Sequence, residues 1–236
     1  MIRGVGLAAL AVLLILSAPT RAQAPPAVEV TGATFADLDE ASGLWTLRGS
    51  PVTVRRGAVV IQAPALTYER AGQVVRATEG ARYADDAFAV DAPRITVWLR
   101  DERLLADGGV VAQQRDAQRR LTAERVEAFG RERRLVATGD PVLTGPEGRL
   151  AAERIETFLA RGEAVAEGNS RIAYDQMEGR AKRITVRQHP PTAVLTGAAV
   201  VRQGPHEVRA TTVTVDLQRR RVTAQGSAQI TAYPGR

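Results

Sequence analysis

The chain has no cysteine, only two histidines, and few aromatic residues, 4% of its 236 positions. Without cysteine, neither a disulfide nor a thiolate metal site can form. His189 and His206 fall in turn-rich stretches without metal-ligand spacing. No Ser, His and acid set is suggested by context, and Asp85-Asp86 reads most simply as a turn. The chain is therefore not expected to be an enzyme or to need a cofactor or metal ion. The scarcity of aromatics removes the stacking platforms of a nucleic-acid binder, so the formal net charge of +6 does not point to nucleic acid. A sustained 3.6-residue apolar rhythm is also missing, and with it the case for a helical body.

One long apolar run is present, "VGLAALAVLLILSA" after Arg3, followed by Pro19 and Ala22-Gln23-Ala24. A positive start, a short apolar stretch and a small-residue end predict a signal peptide over residues 1–24, and so export. The rival is an uncleaved membrane anchor, for which the run is marginal in length. Removal of residues 1–24 takes Arg3 and Arg21 from the 32 bases and none of the 26 acids, leaving 30 against 26 and a net +4.

What the chain has in abundance is repetition. Ala63, Ala92, Ala123, Ala152, Ala181 and Ala210 recur at intervals of 29 residues, with one of 31 across "QQRDAQRR". Glycines at 49, 80, 108, 139, 168, 197 and 226 mark a second corner in each copy. A fixed period of this length is the signature of a repeat architecture. Two residues before the alanine stand Ile61, Val90, Leu121, Leu150, Gly179 and Val208; three after it stand Leu66, Ile95, Val126, Ile155, Ile184 and Val213. The positions between are polar, with Arg94, Arg125, Arg154 and Arg183 two after the alanine. Alternation with period two, rich in Val, Ile and Thr, predicts half-buried β-strands.

The apolar positions change parity between the alanine and the third residue after it, which a flat pleat cannot accommodate. Each strand is expected to kink there and pass from one sheet into a facing one. Turn residues fall twice per period, as in "TGPE" and "QHPP", which predicts two strands per repeat joined as an antiparallel meander. The expectation is an all-β, repetitive antiparallel β-jellyroll of about 12 bent strands in about six repeats. Its domain plan is an edge segment over 25–40 and a repeat domain over 41–233.

Such a body encloses an apolar trough whose Leu, Ile and Val columns would solvate acyl chains. The expected lining is Ile61, Leu66, Val90, Ile95, Leu121, Val126, Leu150, Ile155, Ile184, Val208 and Val213. The alternative is a structural scaffold whose core is closed around these same residues. The outward arginine column reads as a charge ladder on a solvated face. A second cluster, Arg115, Arg119, Arg120, Arg131, Arg133 and Arg134, falls in turns; the first three are the candidate phosphate contacts. The N-terminal strand near "AVEVTGATFADL" has an unguarded edge, whereas Pro234 and Gly235 blunt the other end.

The copies "ATGDPVLTGPEGRLAAERIETF", "AEGNSRIAYDQMEGRAKRITV" and "LTGAAVVRQGPHEVRATTVTV" resemble the repeat of the OstA/LptA family, the periplasmic lipopolysaccharide transport proteins. The resemblance covers roughly residues 28–233. It implies a "β-taco" in the periplasm that shields lipid A acyl chains of lipopolysaccharide or a related envelope lipid. It also implies end strands that pair with other OstA-like domains, or with another copy, to bridge the membranes. The Asp that the family carries after the alanine is replaced here by Pro64, Pro93, Glu124, Glu153, Lys182 and Thr211.

Overall fold

Two rows of turns cut the chain into antiparallel strands, each bent near its middle. The computed structural model describes residues 27–114, 118–146 and 148–232. The predicted leader at 1–24, Arg115, Pro234 and Gly235 lie outside the described residues. The strands are β1 (Glu29–Asp39), β2 (Leu44–Arg56), β3 (Val59–Glu69), β4 (Val74–Thr78), β5 (Ala81–Ala84), β6 (Phe88–Ala92), β7 (Arg94–Trp98), β8 (Arg103–Gln114), β9 (Arg120–Phe129) and β10 (Arg134–Thr138). They continue as β11 (Val142–Gly145), β12 (Gly148–Ala151), β13 (Arg154–Phe158), β14 (Glu163–Tyr174), β15 (Met177–Gln188), β16 (Pro191–Gln203), β17 (His206–Asp216), β18 (Arg221–Gln225) and β19 (Gln229–Thr231).

Five rungs are interrupted at the bend, so β4 with β5, β6 with β7, β10 with β11, β12 with β13 and β18 with β19 each make one rung. Every rung pairs antiparallel with the next in the chain, so the sheet is a single meander. Among the described residues this gives fourteen rungs where the repeat count led to about twelve. The reason is that seven glycine rungs bracket the six alanine rungs, and β1 adds one more at the start. At about 4.8 Å per rung the stack runs roughly 60 Å.

The parity switch lies where the pattern put it. Ile61 and Ala63 are buried, Pro64 is exposed and Ala65 half-buried, and Leu66 is buried again. The register slips at the same place in the uninterrupted rungs, between Arg180 and Arg183 for instance. On the glycine rungs the corner is turned by two consecutive residues of positive φ: Gly108-Gly109, Gly139-Asp140, Gly168-Asn169, Gly197-Ala198 and Gly226-Ser227. Gly139 shows why the first must be glycine. At φ +77 an added Cβ would lie 2.4 Å from the Cβ of Glu124 on the preceding rung. The backbone N–H of Glu124 donates to the Gly139 carbonyl at 3.2 Å, and Glu153 and Thr211 repeat that bond to Gly168 and Gly226.

Glu124, Glu153 and Thr211 are three of the six residues that replace the family's Asp. All six are exposed on the outer ridge of the bend, so their drift does not touch the interior.

Inside, one column runs through the whole stack: Leu66, Ala77, Ile95, Ala106, Val126, Ala137, Ile155, Ala166, Ile184, Leu195, Val213 and Ala224, each paired with the next. Large residues on alanine rungs alternate with alanine on glycine rungs, which lets facing layers interdigitate at the density of a protein interior. Leu195 is the exception among the later rungs. It lies against Gly179, the one position two before the alanine that has no side chain.

Candidate functional site

The buried residues form two clusters, one from Leu47 to Ala137 and one from Leu150 to Leu217, with Leu143 packed against both. Between them lies a cavity of about 150 Å³. Its apolar wall comprises Leu121, Leu135, Leu143, Leu150, Ile172 and Val186, with Phe88, Phe158 and Leu159 toward the outside. Gly145, Gly148, Ala112 and Ala164 also line it, and their small size leaves the volume unfilled.

The cavity draws residues from both rows of turns, so the two rows are lips that meet over it. One row follows β2, β5, β8, β11, β14 and β16; the other follows β3, β7, β9, β13, β15 and β17. Polar bridges join the lips. Arg56 donates to the Leu99 carbonyl at 2.7 Å, and Gln203 donates to the Arg220 carbonyl at 3.4 Å. Arg220 also pairs with Asp175 at 2.6 Å. Arg119 stands at the cavity rim 3.4 Å from the Gln114 side-chain oxygen. With the Gln188 amide turned to satisfy both groups, its oxygen accepts from Arg119 at 3.0 and 3.1 Å.

Of the eleven expected lining residues, only Leu121 and Leu150 border this cavity. Ten of the eleven are no more than 4% exposed, packed within the two clusters, and Val208 is half-buried beside the second. The arginine cluster divides between the lips. Arg119 and the exposed Arg120 belong to one, while Arg131, Arg133 and Arg134 belong to the other. Arg131 donates to the Arg100 carbonyl at 2.6 Å, and Arg134 is held by Glu132 and Glu156.

Leu135, Leu143 and Phe158 escaped the sequence reading. Leu135 and Leu143 stand four residues before and four after Gly139, on a glycine rung, whereas the expected lining comes from the columns around the alanine.

The outer face carries a ladder of charge. Arg94 donates to Asp107 at 3.0 Å; Arg183 and Arg154 share Glu167 at 2.7 and 3.4 Å; Arg154 and Arg134 flank Glu156 at 2.8 and 2.9 Å. Partial burial pushes the Glu156 carboxyl up, and the two guanidiniums outweigh it, holding the group below the ordinary carboxylate value. Arg134 also lies 4.2 Å over the Phe129 ring and Arg103 lies 4.8 Å over Trp98. Pairs this exposed contribute little each, about 0–1 kcal/mol.

Asp85 is a turn residue, accepting from the backbone of Ala87 and Phe88 at 2.8 and 2.9 Å and from the Tyr83 hydroxyl at 2.7 Å. Burial, with Asp85 beside it, holds that phenol above its ordinary pKa. Among the described residues no three His, Asp or Glu side chains gather as metal ligands.

The model of the family described as "LptA/(LptD N-terminal domain) LPS transport protein" matches residues 30–221. The chain belongs to this family. The match spans every rung from β1 to the start of β18, so the repeat and the family model describe the same body. Among solved structures, the chain is similar to the crystal structure of LptH, the LptA homologous periplasmic component of the conserved lipopolysaccharide transport device from Pseudomonas aeruginosa. The identity is 15%, over 89% of this chain and 96% of that one, with a TM-score of 0.24. Comparison with curated proteins gave no match.

Proposed function

We propose that this member of the lipopolysaccharide transport family works in the periplasm, where its interior shields the acyl chains of lipopolysaccharide or a related envelope lipid. The observation that carries the reading is the apolar cavity between the lips. An engineered cavity of similar volume takes up benzene, so the hollow suits the tip of one acyl chain. Deeper entry parts the lips and breaks the bridges Arg56 to Leu99, Arg119 to Gln188 and Arg220 to Asp175. The Arg220–Asp175 pair is exposed and cheap to exchange for water, and the Arg56 bond is a single part-buried hydrogen bond.

Bridging between membranes falls to the edges. Among the described residues β1 pairs only with β2, and the β18–β19 rung only with β17. Phe35 and Leu38 beside the first edge are 53% and 50% exposed, and Ile230 at the other is 69% exposed. Open edges with apolar flanks suit strand addition by an OstA-like partner or a second copy. Mass measured against concentration by light scattering, with and without partner domains, checks this; a strict monomer under both conditions sinks it.

For the cargo, protein purified without detergent from its own host's envelope is expected to yield a stoichiometric acylated lipid on extraction and mass spectrometry. Leu143→Trp fills the cavity, and we expect it to cut the recovered lipid several-fold while the thermal unfolding remains cooperative. The second reading, a structural scaffold without ligand, draws on the close packing of the other lining columns. A lipid-free protein that also fails to bind added lipopolysaccharide would favour it.

A further inference from the structure

Outward arginines on this sheet commonly stand beside an acid, as Arg82 does with Asp91, Arg183 with Glu167 and Arg202 with Glu207. Three neighbouring strands break the pattern. Arg171 on β14 lies directly opposite Arg180 on β15, the only cross-strand pair among the described residues that opposes two like charges. Arg149 on β12 is adjacent, since β12 pairs with β14 as Arg149 with Ala173 and Ala151 with Arg171. All three are exposed, and none has a hydrogen-bond or ion-pair partner among the described residues. Like charges directly opposite weaken a strand pair, so folding alone gives no reason for them.

Ala151, Ala173 and Val200 form a short-chained floor between these long side chains, leaving a hollow of about 400 Å³. Glu178 sits at its rim, and Arg202 at the far side is engaged by Glu207 at 2.6 Å. Three uncommitted guanidiniums against one carboxylate leave an excess of two positive charges.

We propose that this hollow on the outer face binds a phosphomonoester carried on a sugar. A guanidinium fork matches phosphate oxygens in pairs. A phosphomonoester carries nearly two negative charges at neutral pH, which matches the excess. The recessed floor and its volume suit a compact ligand within a pocket, whereas a bilayer surface would meet the tips of the arginines and leave the floor empty. The site lies on the opposite side of the sheet from the cavity and does not depend on the acyl-chain reading.

The test is calorimetric titration of the whole exported chain with glucose 1-phosphate at low salt. Arg171→Gln with Arg180→Gln is expected to weaken binding at least tenfold. Without ligand the same variant is expected to melt no lower than the parent, because a repulsive pair has gone. Ala173→Trp fills the floor with every charge intact and is expected to abolish binding. The proposal is overturned if the parent does not bind, if either variant binds as the parent does, or if inorganic phosphate binds as tightly as the sugar phosphate. Preference for phosphatidylglycerol vesicles over glucose 1-phosphate overturns it equally. The two sites fail separately: the double arginine variant is expected to keep its co-extracted lipid, and Leu143→Trp to keep its phosphosugar binding.

Discussion

Leu195→Ala is expected to lower stability by about 3 kcal/mol, and Gly179→Val introduced with it to recover much of that loss. On the neighbouring glycine rungs the equivalent interior position is held by Ala137, Ala166 or Ala224. Leu195 is larger and is fully buried. Its bulk occupies the room that Gly179 leaves: a Cβ at Gly179 would lie 2.6 Å from Leu195 Cδ2 and 3.0 Å from Ile172 Cγ2. Gly179→Val alone therefore overpacks the core and costs about 1–3 kcal/mol. The double variant exchanges a large–none pair for a small–medium one and refills the layer. A double-mutant cycle by urea unfolding is expected to show a coupling of more than 1 kcal/mol in the stabilising direction. Simple additivity would mean that the two residues do not share one space.

Gly148→Ala is expected to cost about 3 kcal/mol or more, while Gly80→Ala costs about 1 kcal/mol. Both glycines have nearly the same φ, +90 and +89. Around Gly80 an added Cβ meets nothing within 4 Å, so only the conformational penalty remains. At Gly148 the Cβ would lie 2.1 Å from the Ala173 carbonyl oxygen and 3.0 Å from Tyr174 Cα. Those are backbone atoms of β14, which cannot rotate away, so β12 must shift and its pairing with β14 must loosen. Thermal unfolding of the two variants side by side separates the terms: a similar loss at both positions would mean that close approach contributes nothing at Gly148. Because Gly148 also lines the cavity, its substitution is the one of the two expected to alter lipid recovery as well.

Much of this architecture could be read in one dimension. The alanine column and the parity change after it located each bend, since a pleat that alternates strictly must break to move its apolar set between faces. Ile61, Ala63 and Leu66 are buried on either side of that break as the pattern required. Rung number was less legible, because the copies were counted on their alanines, and β1 and the last glycine rung carry none. The lining was less legible still. Leu121 and Leu150 border the cavity while Ile155 and Ile184, at equally apolar columns, lie within close-packed clusters.

The difference between those residues is local volume. Burial is a property of a column, which the period reveals. An unfilled space depends on which small residues meet from different rungs, here Ala112, Gly145, Gly148 and Ala164 from four of them, and on how far the lips approach. The opposition of Arg171 and Arg180 is of the same kind, since a hairpin brings together two residues that look unremarkable nine positions apart. The sequence by itself determined the all-β class, the repeat, the bends and the face on which each apolar column lies, because all of these follow from spacing along one chain. The tertiary structure decided where the interior stays hollow, which turns meet across the mouth and which outward charges lack a partner, because packing and pairing across strands are set by register in three dimensions.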